Sequence, residues 1–153
     1  MNQLSKNSIT FTIGQATQML PLVKSIVAEV LDLINQVKQT RLRLNEVMQI
    51  RIAPDEQEDV YRSEVLDIED NVRQQEQRIK ECIAELNDLA IDVRRIEAGF
   101  IDFPATRLGQ PIFLCWQQGE QEVAHWHMID EDCAQRQKVD LELIRQVGKH
   151  AVL

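Results

Sequence analysis

The stretch LPLVKSIVAEVLDLINQV, residues 20–37, decides the fold of this chain of 153 residues. Its apolar residues recur in alternating steps of three and four, which is the heptad spacing of a helix with one narrow apolar stripe. The stripe runs on to residue 48 with one polar interruption at Arg41, and its apolar positions are Leu20, Val23, Val27, Val30, Ile34, Val37, Leu44 and Met48. The spacing predicts a long helix, over about residues 12–51, that packs along one side.

The start of this helix is marked by the sequence TIGQ at residues 12–15. The Thr12 hydroxyl can accept a hydrogen bond from a free backbone N–H of the first turn, and Gln15 can reach back to the Thr12 backbone, which is the capping-box arrangement. Pro21 falls inside the helical pattern, where its ring removes one backbone hydrogen bond and clashes with the preceding turn. We therefore expect a kink near Pro21, or a short helix followed by a long one.

A second stripe with the same spacing runs over about residues 55–96, with one polar interruption at Gln75. Its apolar positions are Val65, Ile68, Val72, Ile79, Cys82, Leu86, Leu89, Val93 and Ile96. Between the two stripes lies IAPDEQ, residues 52–57, in which a helix breaker is followed by residues that favour the first turn of a new helix. A connection this short predicts an antiparallel coiled-coil hairpin over residues 12–97.

The charge pattern also supports an antiparallel hairpin. The second half of helix one is basic, with Lys38, Arg41, Arg43 and Arg51, whereas helix two opens with acidic residues, so folding back brings opposite charges together.

Helices of about 35 to 40 residues reach roughly 50 to 60 Å, yet two of them enclose little core. We expect self-association, as a homodimer, to cover the hairpin; the C-terminal third of the chain and a foreign protein helix are the alternatives.

After Gly99 the sequence changes from heptads to short runs with high β propensity. FIDF, PIFLCW and EVAHWHM predict three strands, and PATRLGQ and QQGE predict the turns between them. The simplest arrangement is an antiparallel three-stranded β-meander over residues 99–129. Residues 138–153 form a C-terminal extension in which VDLELIRQVG predicts a short helix. The predicted fold is therefore α+β, in a single domain of residues 1–153.

Composition limits the classes of function. With 25 acidic and 17 basic residues the formal net charge is −8, which disfavours binding to nucleic acid or to an anionic membrane surface. We find no apolar run long enough to cross a bilayer and no apolar core of a signal peptide near the start. Three cysteines without paired spacing suit a reducing compartment, so we expect a cytoplasmic protein. No nucleotide-binding glycine motif or CxxC pair is present.

EVAHWHM contains the strongest candidate for a site. Alternation along a strand places His125 and His127 on one face, about 7 Å apart, which allows both to bind one divalent metal ion. Asp102 on the first strand is the nearest candidate for a third ligand, followed by Asp130 and Glu131. Two histidines, one carboxylate and an open position would suit a small metal-dependent enzyme or sensor.

Strand register decides whether Cys115 joins this group. If the loop after PIFLCW has an even residue count, Trp116, Leu114 and Ile112 face the histidines. An odd count puts Cys115 beside them, because a slip of one residue inverts every side chain. The sequence leaves both registers open.

The same residues also have structural interpretations. His127 can be a half-buried side chain that hydrogen-bonds Asp102 or a backbone carbonyl, with His125 facing solvent. Asp102 can pair with Arg107 or Arg136, so that Asp102, Arg107, Cys115, His127 and Arg136 form a polar cluster. A nucleophilic Cys115 activated by His127 and Asp102 is a further alternative, although a strand cysteine is more often a small core residue. No catalytic residue is assigned from the sequence.

GFIDFPATRLGQPIFLCWQQGE at residues 99–120, followed by VAHWH at 123–127 and by RQ at 136–137, resembles the uncharacterised prokaryotic family catalogued as domain of unknown function 2203. FTIGQATQMLP at 11–21 is similar to the start of that family's first helix, so the resemblance covers about residues 9–137. The positions that match its G-x-x-D-F-P, L-C-W and W-H elements are Gly99, Asp102, Phe103, Pro104, Leu114, Cys115, Trp116, Trp126 and His127. The resemblance to this family therefore does not identify a substrate or a cofactor.

The chain departs from the family pattern at two places. His125 stands where relatives have an aromatic residue, and EDCAQRQ, residues 131–137, stands where relatives have a glycine-containing stretch. The first departure weakens any mechanism that needs both histidines.

Overall fold

The computed structural model describes residues 9–49 and 58–146. Two long helices are followed by one four-stranded antiparallel sheet in which the strands lie side by side in chain order. The elements are α1 (Ile13–Gln49), α2 (Glu58–Asp88), β1 (Phe100–Arg107), β2 (Gln110–Gln117), β3 (His125–Met128), β4 (Gln137–Lys138) and α3 (Leu141–Ile144), with 3-10 turns at Ile96–Ala98 and Cys133–Gln135. The α+β class with a helical hairpin is confirmed, and β4 is a strand beyond the three predicted. The predicted connection IAPDEQ lies outside the described residues.

The start of α1 follows the predicted capping box. The Gln15 backbone N–H donates to the Thr12 hydroxyl over 3.2 Å, and the Thr12 N–H donates to the Gln15 side-chain oxygen over 3.0 Å. Pro21 lies inside the helix on its exposed side, and α1 continues through it as one element. The alternative of a short helix followed by a separate long one is therefore wrong.

The end of α2 differs from the prediction, because the helix stops at Asp88 although the heptad pattern continues to Ile96. Ala90 has a positive φ of 65°, its N–H donates to Asn87, and the Ile91 N–H donates to the Leu86 carbonyl. This is a Schellman cap, and the buried pair Leu86 and Ile91 supplies its usual apolar contact. An alanine at the left-handed position, where glycine is usual, leaves no stop signal in the sequence.

The two long helices pack against each other as an antiparallel pair. Arg78 late in α2 pairs with Glu29 early in α1, with nitrogen–oxygen distances of 2.6 and 3.0 Å. Nearer the other end, Arg43 of α1 lies 3.7 Å from Glu64 of α2. These side chains are exposed, so the pairs fix register more than they stabilise. The charge pattern predicted the pairing of Arg43 with Glu64 but not that of Arg78 with Glu29. Within residues 9–49 and 58–146, no helix is long and apolar enough to span a membrane.

One face of the sheet packs on the hairpin and forms the core. Its members from the hairpin and the sheet are Ala16, Leu20, Val23, Ile26, Val27 and Val30 of α1, Cys82 and Leu86 of α2, and Ile101, Phe103, Ala105, Ile112, Leu114, Trp116 and Trp126 of the sheet. All are buried, and the sheet members alternate along their strands. The sheet therefore covers the half of the hairpin nearest to Ile13.

Strand β1 is longer than FIDF predicted. Residues 104–107 continue the strand, and only Leu108 and Gly109, with φ of 52° and 78°, form the turn, so the prediction of PATRLGQ as a turn is wrong. Pro104 is tolerated because it lies on the outer edge of the sheet, where its carbonyl accepts from Phe11 over 2.7 Å. Its missing N–H therefore costs no ladder hydrogen bond.

Gly99 offers a test of this packing, with Gly109 as its control. Both have φ of 78°, but an added Cβ at Gly99 would lie 2.9 Å from Gln118 Cβ, whereas nothing lies within 4 Å at Gly109. We expect Gly109→Ala to lower the free energy of unfolding by about 1 kcal/mol through backbone strain alone. Gly99→Ala should cost at least about 1 kcal/mol more, because the Gln118 N–H is hydrogen-bonded to the Gly99 carbonyl. Equal losses in urea unfolding would contradict this packing.

Candidate functional site

The second face of the sheet, turned away from the helices, gathers the polar residues. Asp102 lies opposite Cys115, Cys115 lies opposite His125, and Phe113 lies opposite His127. This is the register in which Cys115 shares a face with both histidines, one of the two that the sequence left open.

Backbone pairing on both sides holds Asp102 in place. β1 pairs with β2 along one edge, and on the other edge Asp92 exchanges two hydrogen bonds of 2.9 and 3.1 Å with the Asp102 backbone. The end of α2 at Asp88 makes this possible, because the chain beyond it is free to run extended beside β1. Asp102 is thereby fixed at the centre of the second face, with only 2% of its surface exposed.

Cys133 lies in the loop after β3, and its side chain is close to that of Asp102. It begins the 3-10 turn Cys133–Gln135, which is closed by a capping box between Asp132 and Gln135. The turn covers the second face, and Cys133 is 4% exposed. The D-x-x-Q spacing could have predicted this turn, but no feature of the sequence signals that Cys133 approaches Asp102. Sequence reasoning therefore missed this residue.

Asp102 and His127 form a buried pair that spans β2. His127 Nε2 lies 3.0 Å from Asp102 Oδ1, and Nδ1 lies 2.7 Å from the Met128 carbonyl oxygen. A carbonyl oxygen only accepts, so Nδ1 carries a hydrogen and donates it. One further proton is then shared between Nε2 and Oδ1. Both interactions expected of a structural His127, to Asp102 and to a carbonyl, are present together.

Opposing effects act on the pKa of His127. Burial alone would lower it, but the hydrogen bonds to Asp102 and to the Met128 carbonyl outweigh burial and raise the pKa above its ordinary value. In the absence of any other ligand, the pair therefore holds its shared proton more firmly than an exposed histidine would.

Two thiols complete the group. The donor atoms of Asp102, Cys115, His127 and Cys133 all lie within 4.8 Å of one another, and all four residues are buried. Burial raises the pKa of both thiols, that of Cys115 well above its ordinary range. A neutral thiol is a poor nucleophile, so this burial disfavours the alternative of Cys115 as an activated catalytic cysteine. We refer to Asp102, Cys115, His127 and Cys133 as the four-donor cluster.

The cluster borders a pocket of about 320 Å³ at the protein surface. Asp102, His127 and Cys133 form part of its wall. Its other lining residues are Arg94, Arg95, Asp130, Glu131 and Asp132. The pocket thus gives a small polar ligand or ion a route to three of the four donors.

His125 lies on the same face but outside the cluster. Its Nδ1 is 3.5 Å from Glu120 Oε2, and within the described part of the chain this nitrogen has no hydrogen-bond partner. Glu120 is bound instead by Arg136, through hydrogen bonds of 2.9 and 3.1 Å. Burial would raise the pKa of Glu120, but the bonds from Arg136 hold it below its usual value.

The two arginines suggested as partners of Asp102 pair elsewhere. Arg107 binds Asp140 over 2.6 Å, and its guanidinium lies 4.9 Å from the centre of the Trp126 ring. Arg136 binds Glu120 and also interacts with the Cys115 side chain. Of the predicted polar cluster, Asp102, Cys115 and His127 lie together, Arg136 borders them, and Arg107 does not take part.

The fold and the site define a class of protein: α+β, with a long helical hairpin mounted on a small sheet that buries an Asp–His pair and two thiols on its far face. The chain belongs to the family described as "Uncharacterized conserved protein (DUF2203)", whose model matches residues 9–139. This confirms the resemblance drawn from the sequence. The search of curated proteins returned no match, and the search of solved structures returned none.

Two substitutions at Asp102 test whether Nδ1 of His127 carries the hydrogen, both measured by urea unfolding in the presence of a chelator. Asp102→Ala leaves a buried imidazole without its partner and should lower the free energy of unfolding by about 3–5 kcal/mol. Asp102→Asn should cost less than half as much, because the new amide can donate to Nε2 while Nδ1–H keeps its bond to Met128.

Asp140→Asn is the control for this comparison. It removes the charge opposite Arg107 in a more exposed pair but keeps a residue that can cap α3. Its effect should be far smaller than that of Asp102→Ala. If the two substitutions at Asp102 cost the same, the proposed position of the proton is incorrect.

Proposed function

We propose that this chain is a cytoplasmic, self-associating helical-hairpin interaction protein, in which the sheet is a rigid base and the far half of the hairpin binds a second copy. One observation carries the proposal, namely the uneven burial along the hairpin. Every buried residue of α1 lies between Ala16 and Val30, where the sheet covers the helices. We call residues 31–49 and 58–76 the distal hairpin.

Four large apolar side chains of the distal hairpin are exposed, although Ile68 and Val72 of α2 are buried. Leu42 and Met48 of α1 are 56% and 53% exposed, and Val60 and Leu66 of α2 are 68% and 55% exposed. Single exposed apolar residues are common on protein surfaces, but here they accompany a heptad stripe on each of two paired helices. A bundle of four helices would cover these exposed side chains as well as the stripe.

Charge favours a second copy as the occupant. Residues 31–49 carry Lys38, Arg41 and Arg43, whereas residues 58–76 are strongly acidic. The acidic residues of that segment are Glu58, Asp59, Glu64, Asp67, Glu69, Asp70 and Glu76. A two-fold dimer can set α1 of one copy against α2 of the other, and this arrangement places unlike charges together. A separate protein with a basic helix would be attracted to α2 alone.

The cytoplasmic assignment rests on the cysteines. Cys82, Cys115 and Cys133 are all free and buried, and no disulfide forms among the described residues. A chain that keeps its thiols reduced suits a reducing compartment. The net charge of −8 continues to disfavour nucleic acid and anionic membranes as partners.

A metal-dependent enzyme or sensor is less well supported. It was expected to use His125, His127 and Asp102 with an open coordination position. His125 lies beside Glu120 instead, and a second thiol takes its place near Asp102 and His127. A ligand set that is full and buried suits a structural role better than catalysis.

The self-association can be disrupted without disturbing the core. Leu42→Glu combined with Leu66→Glu replaces two side chains that are exposed within one copy, so the helical content should be retained. In a two-fold dimer each change acts twice, and we expect the dimer dissociation constant to rise at least about 100-fold, equivalent to about 2.7 kcal/mol. Sedimentation equilibrium at micromolar concentration measures the change.

The matched control is Leu141→Glu, which places the same charge on a residue that is 62% exposed in α3, outside the distal hairpin. This variant should remain a dimer. A folded wild-type chain that is monomeric at micromolar concentration, or a double variant that dimerises as the wild type does, would refute the proposal.

A further inference from the structure

We infer that Asp102, Cys115, His127 and Cys133 together form a structural binding site for a divalent metal ion, for which zinc is the best fit. The inference is independent of the proposed self-association, because the four-donor cluster lies on the face of the sheet opposite the hairpin. It rests on four observations: donor spacing, donor chemistry, the support of each ligand and access.

The spacing suits a tetrahedral ion. Zinc lies about 2.3 Å from sulfur and about 2.0 to 2.1 Å from nitrogen, so its ligands are roughly 3.3 to 3.8 Å apart. The four donor atoms all lie within 4.8 Å of one another, and the nitrogen–oxygen pair of His127 and Asp102 is 3.0 Å apart. Small side-chain rotations close this arrangement around one ion, with each residue giving one atom.

The chemistry of the donors selects the ion. Two thiols, one imidazole and one carboxylate are a mixed soft and borderline set, which zinc binds well. Magnesium and calcium prefer oxygen ligands throughout, and only Asp102 supplies oxygen here. The bound ion takes the place of the proton between Nε2 and Oδ1 and of both thiol protons, so binding releases protons to solvent.

The surroundings hold each ligand in position. The Nδ1–H of His127 donates to the Met128 carbonyl over 2.7 Å, which turns Nε2 towards the cluster, as is usual for a metal-binding histidine. The two backbone bonds from Asp92 fix Asp102. Cys115 is held by β2, which pairs with a strand on each side, and Cys133 by the turn that the Asp132–Gln135 capping box closes.

Access is through the surface pocket. Three of the donors line it, and Asp130, Glu131 and Asp132 on the same wall attract a cation, while Arg94 and Arg95 oppose them in part. Oxidation of the two thiols to a Cys115–Cys133 disulfide competes with metal binding. The disulfide would remove both sulfur ligands, so the experiment must distinguish it from the metal-bound form.

The test uses the full chain, reduced and stripped with a chelator, then titrated with zinc or cobalt(II). We expect one zinc per chain by elemental mass spectrometry, a rise in thermal stability on adding zinc, and a thiolate-to-cobalt charge-transfer band that corresponds to two sulfur ligands. Cys133→Ala should weaken zinc binding by more than the 10- to 100-fold that is typical of losing an outer-shell partner.

Cys82→Ala is the control, since Cys82 is also a buried free cysteine but lies in α2, outside the cluster. It should bind zinc as the wild type does. If Cys133→Ala fails to fold, the cobalt spectrum of the wild-type chain still shows whether thiolates bind the metal ion. A spectrum without thiolate bands, zinc binding that survives Cys133→Ala unchanged, or a Cys115–Cys133 disulfide in a protein that takes up no zinc once reduced would each overturn the inference.

Discussion

The pairing of β2 with β3 fixes which side chains lie on each face of the sheet, and the rest of the structure depends on it. With Cys115 opposite His125, the large apolar side chains of Leu114, Trp116 and Trp126 face the helices and form the core. Asp102, Cys115 and His127 consequently face the other way. A slip of one residue in β3 would press the histidines against the helices and turn Trp126 outward. The energy of burying the apolar face therefore also determines the polar one.

The two faces of the sheet have different roles. The apolar face anchors the first part of α1 and the end of α2, so the hairpin projects from the sheet with its distal part uncovered by it. The pocket beside the polar face is lined mainly by charged side chains, those of Arg94, Arg95, Asp130, Glu131 and Asp132. A metal ion bound by β1, β2, β3 and the Cys133 turn would link these segments, as structural metals do in small layers with little core. The base would then be rigid enough to present the hairpin to a partner.

Much of the fold could be predicted from the sequence because its signals are local. The heptad spacing, the Thr12 capping box and the alternation in HWH each depend on neighbouring residues. Three features could not be predicted. The end of α2 is signalled by a left-handed Ala90 in place of glycine. The register depends on how the chain between β2 and β3 folds, and the approach of Cys133 to Asp102 depends on tertiary packing alone. The site was therefore predicted only in part, through Asp102, His127 and an undecided Cys115.

The register itself is the most direct point at which to test this account. Cross-strand nuclear Overhauser contacts between backbone protons report which residues of β2 and β3 lie opposite each other, whether or not an ion is bound. The account predicts contacts that pair Cys115 with His125 and Phe113 with His127. Contacts that pair Leu114 or Trp116 with His125 would contradict it, because His127 would then lie on the face of the sheet opposite Asp102 and Cys115.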